Sequence, residues 1–168
     1  ISTNASTQLN SNLYRLRGYY NAAGNYALRH YQGAYVDELP PLNNFSDFHL
    51  FQEGAGTTDQ MNIGPIAPNP IFVAQGGVVV IQLQWNDTWG LATQDYDLYA
   101  IDHDTDAVAG VSENDQNGIV GGVGDRPTEL IVFENTESDR YFDIYINRFK
   151  ATQDVTFDMF VTVCTCAP

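Results

Sequence analysis

Positive charge is scarce in this sequence. Lys150 is the only lysine, and seven Lys and Arg residues face 21 Asp and Glu residues, so the net charge is −14. Nucleic acids and anionic membrane surfaces bind proteins through clustered cationic side chains, because both present phosphate groups. We therefore expect no nucleic acid partner and no anionic membrane surface as a partner.

Long apolar runs and cysteines are also scarce. The longest apolar stretches, such as 78–81, are far shorter than the roughly 20 residues that a membrane-spanning helix needs. Cys164 and Cys166 are separated by one residue. In an extended chain their Cα atoms would lie roughly 6.5–7 Å apart, at the upper edge of disulfide geometry. A strained local bridge, a bond to another chain and two free thiols all stay open.

Motifs of the common catalytic centres are missing. The chain has no H-E-x-x-H, no G-x-S-x-G and no Gly-rich phosphate loop, and its three histidines are scattered. A carboxylate pair for glycoside hydrolysis is the enzymatic alternative that so acidic a chain leaves open. We expect a protein that is not an enzyme.

The charge that is present is divided by position. Residues 1–36 hold three arginines and no acidic residue, which gives +3, and the remainder carries −17, so together they give the net −14. Six of the ten tyrosines lie in the same segment, and tyrosine is enriched where proteins meet. We expect this segment to dock on the acidic part of a neighbouring copy. The expected interface residues are Arg15, Arg17, Arg29, Tyr14, Tyr19, Tyr20, Tyr26, Tyr31 and Tyr35.

The arrangement of this segment predicts an extended arm. Residues 13–36 are interrupted by glycines, and 25–31 alternates weakly between apolar and polar side chains, which predicts one or two strands. A strand donated to a neighbour's sheet edge would build a filament, because a head-to-tail contact does not close on itself. The alternative is a strand pair that completes the sheet of its own domain. Pro and Asn pairs mark a linker, so we place arm and linker at 1–46 and one domain at 47–168.

The remainder of the chain alternates with the two-residue period of strands. Val79, Ile81, Leu83 and Trp85 fall on one face of their segment, which makes Trp85 a predicted core residue. The predicted strands are 48–52, 71–74, 79–85, 96–101, 107–112, 128–134, 141–147 and 155–163. About eight short strands separated by turns predict an all-β fold, an antiparallel jelly-roll-like β-sandwich preceded by the N-terminal arm.

The order of motifs within 47–163 resembles a known family. FHLF is followed by EGAGTTDQ, VVVIQLQWNDTWG, DYDLYAID, VAGVSENDQNG, DRPTELIVFEN and YFDIYINRF. This order is similar to the pre-peptidase C-terminal (PPC) type of domain found in secreted subtilisin-like proteases, metalloproteases and other surface proteins. The resemblance implies a jelly-roll-like sandwich with a non-catalytic, extracellular role. Residues 1–46 resemble no family.

The densest acidic stretch suggests a calcium site. Asp102, Asp104, Asp106 and Glu113 occupy positions 1, 3, 5 and 12 of a Ca²⁺-loop pattern, and hard cations prefer such oxygen ligands. However, position 6 is Ala107 rather than the required Gly. The alternative is a solvated hairpin turn, in which Asp is favoured for its turn chemistry.

A second group of acidic residues is expected close to the first. Asp95 and Asp97 point to one face of their strand, and Asp125 and Glu129 lie in or beside a Gly-rich loop. Carboxylates held close together repel each other unless a cation or protons intervene. Ca²⁺ is therefore the expected cofactor, with either acidic group as its site.

Two further features suggest surface chemistry. Trp89 lies beyond the end of its strand beside polar residues, as in faces that bind polysaccharide by stacking. Sequons for N-glycosylation begin at Asn4, Asn44 and Asn86.

Three functions follow as hypotheses. The first is a non-catalytic structural subunit of an extracellular or cell-surface, filament-like assembly, with the arm docked on a neighbour. The second is an accessory domain of a secreted peptidase or other hydrolase. The third is a carbohydrate-binding module that uses Trp89.

Overall fold

The computed structural model describes residues 30–36, 47–49, 51, 69–119 and 126–165. These residues form eight strands and no helix, and so none that could span a membrane. The strands are β1 His30–Ala34, β2 Asn69–Val73, β3 Gly77–Trp85, β4 Tyr96–Asp102, β5 Val108–Ser112, β6 Thr128–Glu134, β7 Arg140–Arg148 and β8 Thr156–Thr165.

The strands pair from the two ends of the chain inward. β1 pairs with β8, β2 with β7, β3 with β6 and β4 with β5, always antiparallel. Additional pairing of β3 with β8 and of β4 with β7 assembles two four-stranded sheets, β1-β8-β3-β6 and β2-β7-β4-β5. Eight strands nested in this way over two sheets form a jelly roll. The predicted all-β sandwich is confirmed.

Alternating side chains build the core between the two sheets. In β3, Val79, Ile81 and Leu83 are completely buried, and Trp85 is 3% exposed, as the alternation predicts. Ala100 and Ile144 face them from the second sheet and are also completely buried. Successive strand residues point to opposite faces, so one face of each strand supplies the core. Each such aliphatic side chain contributes roughly 1.5–3 kcal/mol through burial.

The first strand lies N-terminal of the boundary that we expected after residue 46. β1 is nevertheless an outer strand of the first sheet, and the sandwich therefore takes at least one strand from the predicted arm. Tyr31 is completely buried and Tyr35 is 6% exposed, both in the core of their own chain. A Cβ at Gly33 would lie 2.1 Å from the Tyr31 hydroxyl oxygen, which explains glycine at that position.

His49 fixes this strand to the rest of the fold. Its Nε2 lies 2.8 Å from the Tyr31 hydroxyl, and its Nδ1 accepts the Val36 N–H at 3.1 Å. Burial lowers the pKa of His49 to about 4, so the ring is neutral at pH 7. A neutral ring that accepts at Nδ1 carries its proton on Nε2 and donates it to Tyr31. The predicted strand 48–52 contributes an isolated bridge, between Phe48 and Asn147, within the described residues.

Candidate functional site

The two ends of β4 carry the two acidic groups that the sequence predicts. At the C-terminal end, the Asp102 carboxylate forms an ion pair with Arg140 and accepts the backbone N–H groups of Asp104 and Thr105, each at 3.0 Å. Burial opposes ionisation of Asp102, but these hydrogen bonds together lower its pKa to about 2. Asp102 therefore organises the hairpin turn between β4 and β5.

The other members of the predicted Ca²⁺ loop do not join Asp102 around one point. Asp104 and Asp106 are exposed in the turn, and Glu113 accepts a hydrogen bond of 2.6 Å from the Tyr99 hydroxyl. Within the described ranges, no group of three or more His, Cys, Asp or Glu side chains is placed to hold a metal ion. A hairpin turn joins β4 to β5 here, with a 3.0 Å bond from the Asp106 N–H to the Asp102 carbonyl, and the Ca²⁺ loop stays a prediction.

At the N-terminal end of β4, Asp95 is buried without compensation. It is 1% exposed, and neither of its carboxylate oxygens has a hydrogen-bond partner. Burial raises the pKa of Asp95; the nearby Gln116 N–H lowers it, and the charge of Asp115 raises it further. Its backbone carbonyl accepts N–H bonds from Phe149 and Lys150, at 3.1 and 3.2 Å, which hold the residue in place.

Asp97 lies two residues further along the same strand face. It is 4% exposed. Burial, and after it the repulsion of neighbouring carboxylates, raises the pKa of Asp97 to about 7. Those carboxylates belong to Asp95, Glu113 and Glu129. The two aspartates predicted as one group are thus brought into one electrostatic environment.

Glu129 completes this environment but is itself well satisfied. Its carboxylate accepts bonds from the Asn114 backbone at 3.1 Å, the Asn114 side chain at 2.6 Å and Gln116 Nε2 at 2.7 Å, and also from the Ser112 hydroxyl. Burial raises the pKa of Glu129, and these bonds lower it, with a net rise. The polar residues 112, 114 and 116 were not predicted as site residues. Their two-residue spacing in SENDQ is the signal that could have found them.

Lys150 places a cationic side chain beside this group. Its Nζ lies 3.3 Å from Asp115 Oδ1, and both side chains are more than half exposed. An exposed pair of this kind contributes little to stability, and it leaves the buried oxygens of Asp95 without a partner. This region therefore combines buried oxygen atoms that could bind a cation with an excess of negative charge.

The predicted interface residues divide between two locations. Tyr31 and Tyr35, expected to contact a neighbouring copy, are core residues instead, because their rings pack beside Phe51, His49 and Tyr96 of the same chain. The prediction is corrected for these two. The others lie outside the described residues: Arg15, Arg17, Arg29, Tyr14, Tyr19, Tyr20 and Tyr26. The same is true of Asn4, Asn44, Asp125 and Cys166.

The remaining surface predictions fall between β3 and β4 and at the end of β8. Trp89 is 60% exposed, whereas Trp85 is in the core. Asn86 is exposed, and its side-chain oxygen accepts the Thr156 N–H at 2.6 Å. Cys164 is an exposed free thiol.

The outer face of the second sheet presents apolar side chains. Phe72 and Tyr141 alternate with buried residues of β2 and β7, and their rings meet edge to face at 5.4 Å between centroids. On β5, Val108 and Val111 lie opposite Ile101 and Tyr99 of β4, on the same outer face. The side chains of Phe72, Tyr141, Val108 and Val111 are each between 46% and 62% exposed. Exposed apolar side chains gathered on one face are typical of interaction surfaces.

Comparison with known proteins gives this chain no family. No protein-family model matches it, and no curated protein is similar to it at a significant level. The resemblance to pre-peptidase C-terminal domains over 47–163 stays a prediction, and the function has to be argued from the geometry.

Proposed function

We propose that this chain is a non-catalytic structural subunit of an extracellular, filament-like assembly. Residues 1–29 of one copy dock on the sandwich of the next. The observation that carries the proposal is the exposed apolar outer face of the second sheet, which presents Phe72, Tyr141, Val108 and Val111. β1 is an outer strand of its own chain's first sheet, and its tyrosines lie in its own core, so residues 30–36 are not part of the arm. The docking arm is therefore shorter than the 36 residues that the charge pattern alone suggests.

The chemistry of residues 1–29 fits the role of an arm. They contain Arg15, Arg17 and Arg29, four tyrosines and no acidic residue. Tyrosine rings bury a large area at low entropic cost, and arginine is enriched at interfaces. Such a segment has cationic and aromatic groups to offer to an acidic, partly apolar surface.

The outer face of the second sheet is the acceptor that best matches this arm. It exposes Phe72, Tyr141, Val108 and Val111. The exposed carboxylates of Asp106 and Glu113 flank β5 in the sequence. Apolar side chains at the centre with charges around them are the usual anatomy of a protein interface. Oppositely charged surfaces also steer association and make it dependent on salt.

The first test is light scattering of the purified full chain and of a chain that begins at His30. We expect the full chain to assemble at low salt, and the shortened chain to stay monomeric with the same circular dichroism spectrum. Replacement of Arg15, Arg17 and Arg29 by Gln should weaken assembly, and Arg126→Gln serves as the matched control. A full chain that stays monomeric, or a shortened chain that assembles equally well, contradicts the proposal.

The second test locates the acceptor face with two matched variants. Val108 and Val132 are 62% and 60% exposed, both on strands, but on the outer faces of different sheets. Val108→Lys places a positive charge where the cationic arm should dock, so we expect the assembly midpoint to shift at least tenfold in concentration. Val132→Lys should leave it unchanged. Equal effects of the two variants would remove this face as the acceptor.

A carbohydrate-binding module is the second candidate, because Trp89 is 60% exposed. An exposed indole ring can stack on a sugar, and polar residues surround Trp89 in the sequence. Screening against a glycan array would test this function. Binding that is lost in Trp89→Ala supports it, and a flat response across glycans contradicts it.

A further inference from the structure

Three buried oxygen atoms at the N-terminal end of β4 have no hydrogen-bond partner. They are the two carboxylate oxygens of Asp95 and the side-chain oxygen Oε1 of Gln116. Asp95 is 1% and Gln116 2% exposed, so water does not replace the missing partners freely. Buried oxygens of this kind are unfavourable unless a donor, a proton or a cation meets them.

The groups that carry or adjoin these oxygens interact with one another. Beside burial, the charge of Asp115 raises the pKa of Asp95, so the two side chains are close to each other. The Gln116 N–H is close enough to lower the pKa of Asp95, although it does not complete a hydrogen bond with either oxygen. Gln116 Nε2 is held by Glu129 at 2.7 Å, which fixes the amide and leaves Oε1 as its unused atom.

Two carboxylates in contact repel each other unless something positive lies between them. Lys150 pairs with the outer oxygen Oδ1 of Asp115, and not with Asp95. Further negative charge comes from Asp97, whose carboxylate lies two residues along the strand. The arrangement therefore has an unmet requirement for positive charge at Asp95.

We propose that Asp95, Asp115 and Gln116 Oε1 bind a hard divalent cation, Ca²⁺. The donors are all oxygen, with carboxylates and an amide carbonyl mixed as calcium sites use them. No thiol or imidazole is among them, which disfavours zinc and the softer metals. No three His, Cys, Asp or Glu side chains of the described ranges form a metal-holding group, so the site depends on two carboxylates and one amide oxygen. Water ligands would reach the ion from the side of Asp115, whose side chain is 53% exposed.

This site is independent of the proposed assembly. It lies under the segment 113–117 that follows β5, rather than in the N-terminal arm. It also differs from the Ca²⁺ loop expected at Asp102, because Arg140 and backbone N–H groups already satisfy that carboxylate. Of the two acidic groups predicted from the sequence, the structure favours the one that contains Asp95.

The test is calcium titration of the full chain after dialysis against chelator at pH 7.5, followed by calorimetry and thermal unfolding. We expect one Ca²⁺ per chain and a Tm that rises by roughly 5–10 °C at 100-fold excess over Kd. Asp95→Asn should remove the Tm response. Asp115→Asn, a change at a half-exposed side chain that should not disturb folding, should weaken binding at least tenfold.

Asp104→Asn is the matched control, because Asp104 is an exposed aspartate at the other end of β4. We expect its calcium response to equal that of the original chain. The proposal is overturned if the original chain gives no Tm change up to about 10 mM Ca²⁺, roughly ten times the weakest Kd, about 1 mM, of extracellular calcium modules. It is overturned equally if Asp95→Asn and Asp115→Asn retain the response.

Discussion

The two ends of β4 place aspartates in opposite environments. Asp102 and Asp95 are both almost completely buried, at 4% and 1% exposure. Arg140 and two backbone N–H groups meet Asp102, and the pKa of that carboxylate falls to about 2. Neither oxygen of Asp95 has a partner, and burial raises the pKa of that residue.

The difference shows that partners, rather than the density of acidic residues, decide what a carboxylate does. The sequence around Asp102 resembles a calcium loop more closely, yet its leading carboxylate is occupied by the protein itself. The group around Asp95 has a weaker pattern and keeps its oxygens available. An ionised carboxylate costs free energy in a dry interior unless it is paired, so the unpaired group around Asp95 is the one for which we propose a cation.

The largest effect should come from Arg140→Met. This change leaves the Asp102 carboxylate without its guanidinium, so we expect the largest loss in the free energy of unfolding of this series at pH 7. Urea denaturation measures it. Glu137→Gln is the matched control, because Glu137 pairs with the same arginine but is 70% exposed. A loss for Arg140→Met no larger than for the control would show that Asp102 does not depend on its partner.

An effect of opposite sign is expected for Asp97→Asn in chelator. The pKa of Asp97 is about 7 in the fold, against an ordinary aspartate value of 3.8, so ionising this carboxylate disfavours the folded state. The penalty is absent below pH 3.8, grows as the pH rises and is complete above pH 7. We therefore expect Asp97→Asn to stabilise the chain by about 1–3 kcal/mol at pH 8 and by almost nothing near pH 4.

Urea denaturation at both pH values checks this prediction, as the difference in the free energy of unfolding between the variant and the original chain. The difference is needed because His49 changes the stability of both chains with pH in the opposite direction. Its pKa is lowered to about 4, so its contribution to stability is lost as the pH falls from 6.5 towards 4. An equal gain at pH 4 and pH 8, or a loss at pH 8, would contradict the assigned cause.

The smallest effect is expected for Asp104→Asn. Asp104 is exposed in the hairpin turn, and its backbone N–H rather than its side chain bonds to Asp102. The free energy of unfolding should change by less than about 0.5 kcal/mol at any pH from 4 to 8. A larger change, measured in the same urea series, would indicate that the turn carboxylates act together after all.

Local patterns predicted most of the sandwich. The alternation in 79–85 predicted both the strand and the burial of Trp85, because the period of two residues determines which side chains enter the core. Strands near 71–74, 96–101 and 128–134 were predicted within a few residues of their observed bounds. The hairpin turn at Asp102 was available as an alternative, since its chemistry is local.

Contacts between distant parts of the chain escaped prediction. β1 pairs with β8 through His30 and Phe160, residues at opposite ends of the sequence, so the pattern of 25–31 could not reveal that partner. For the same reason Tyr31 was expected at an interface rather than against His49. Asp95 and Asp97 occupy alternate positions typical of a solvated face, yet both are buried in the fold.

The most direct test of the proposed assembly is a binding experiment monitored by fluorescence anisotropy. A labelled peptide of residues 1–29 is titrated with a chain that begins at His30. We expect saturable binding, with a Kd that rises at least tenfold between about 50 mM and 500 mM salt, because opposite charges carry much of the attraction. A peptide that does not bind, or one whose affinity is indifferent to salt, would contradict complementarity between the cationic segment and the acidic sandwich.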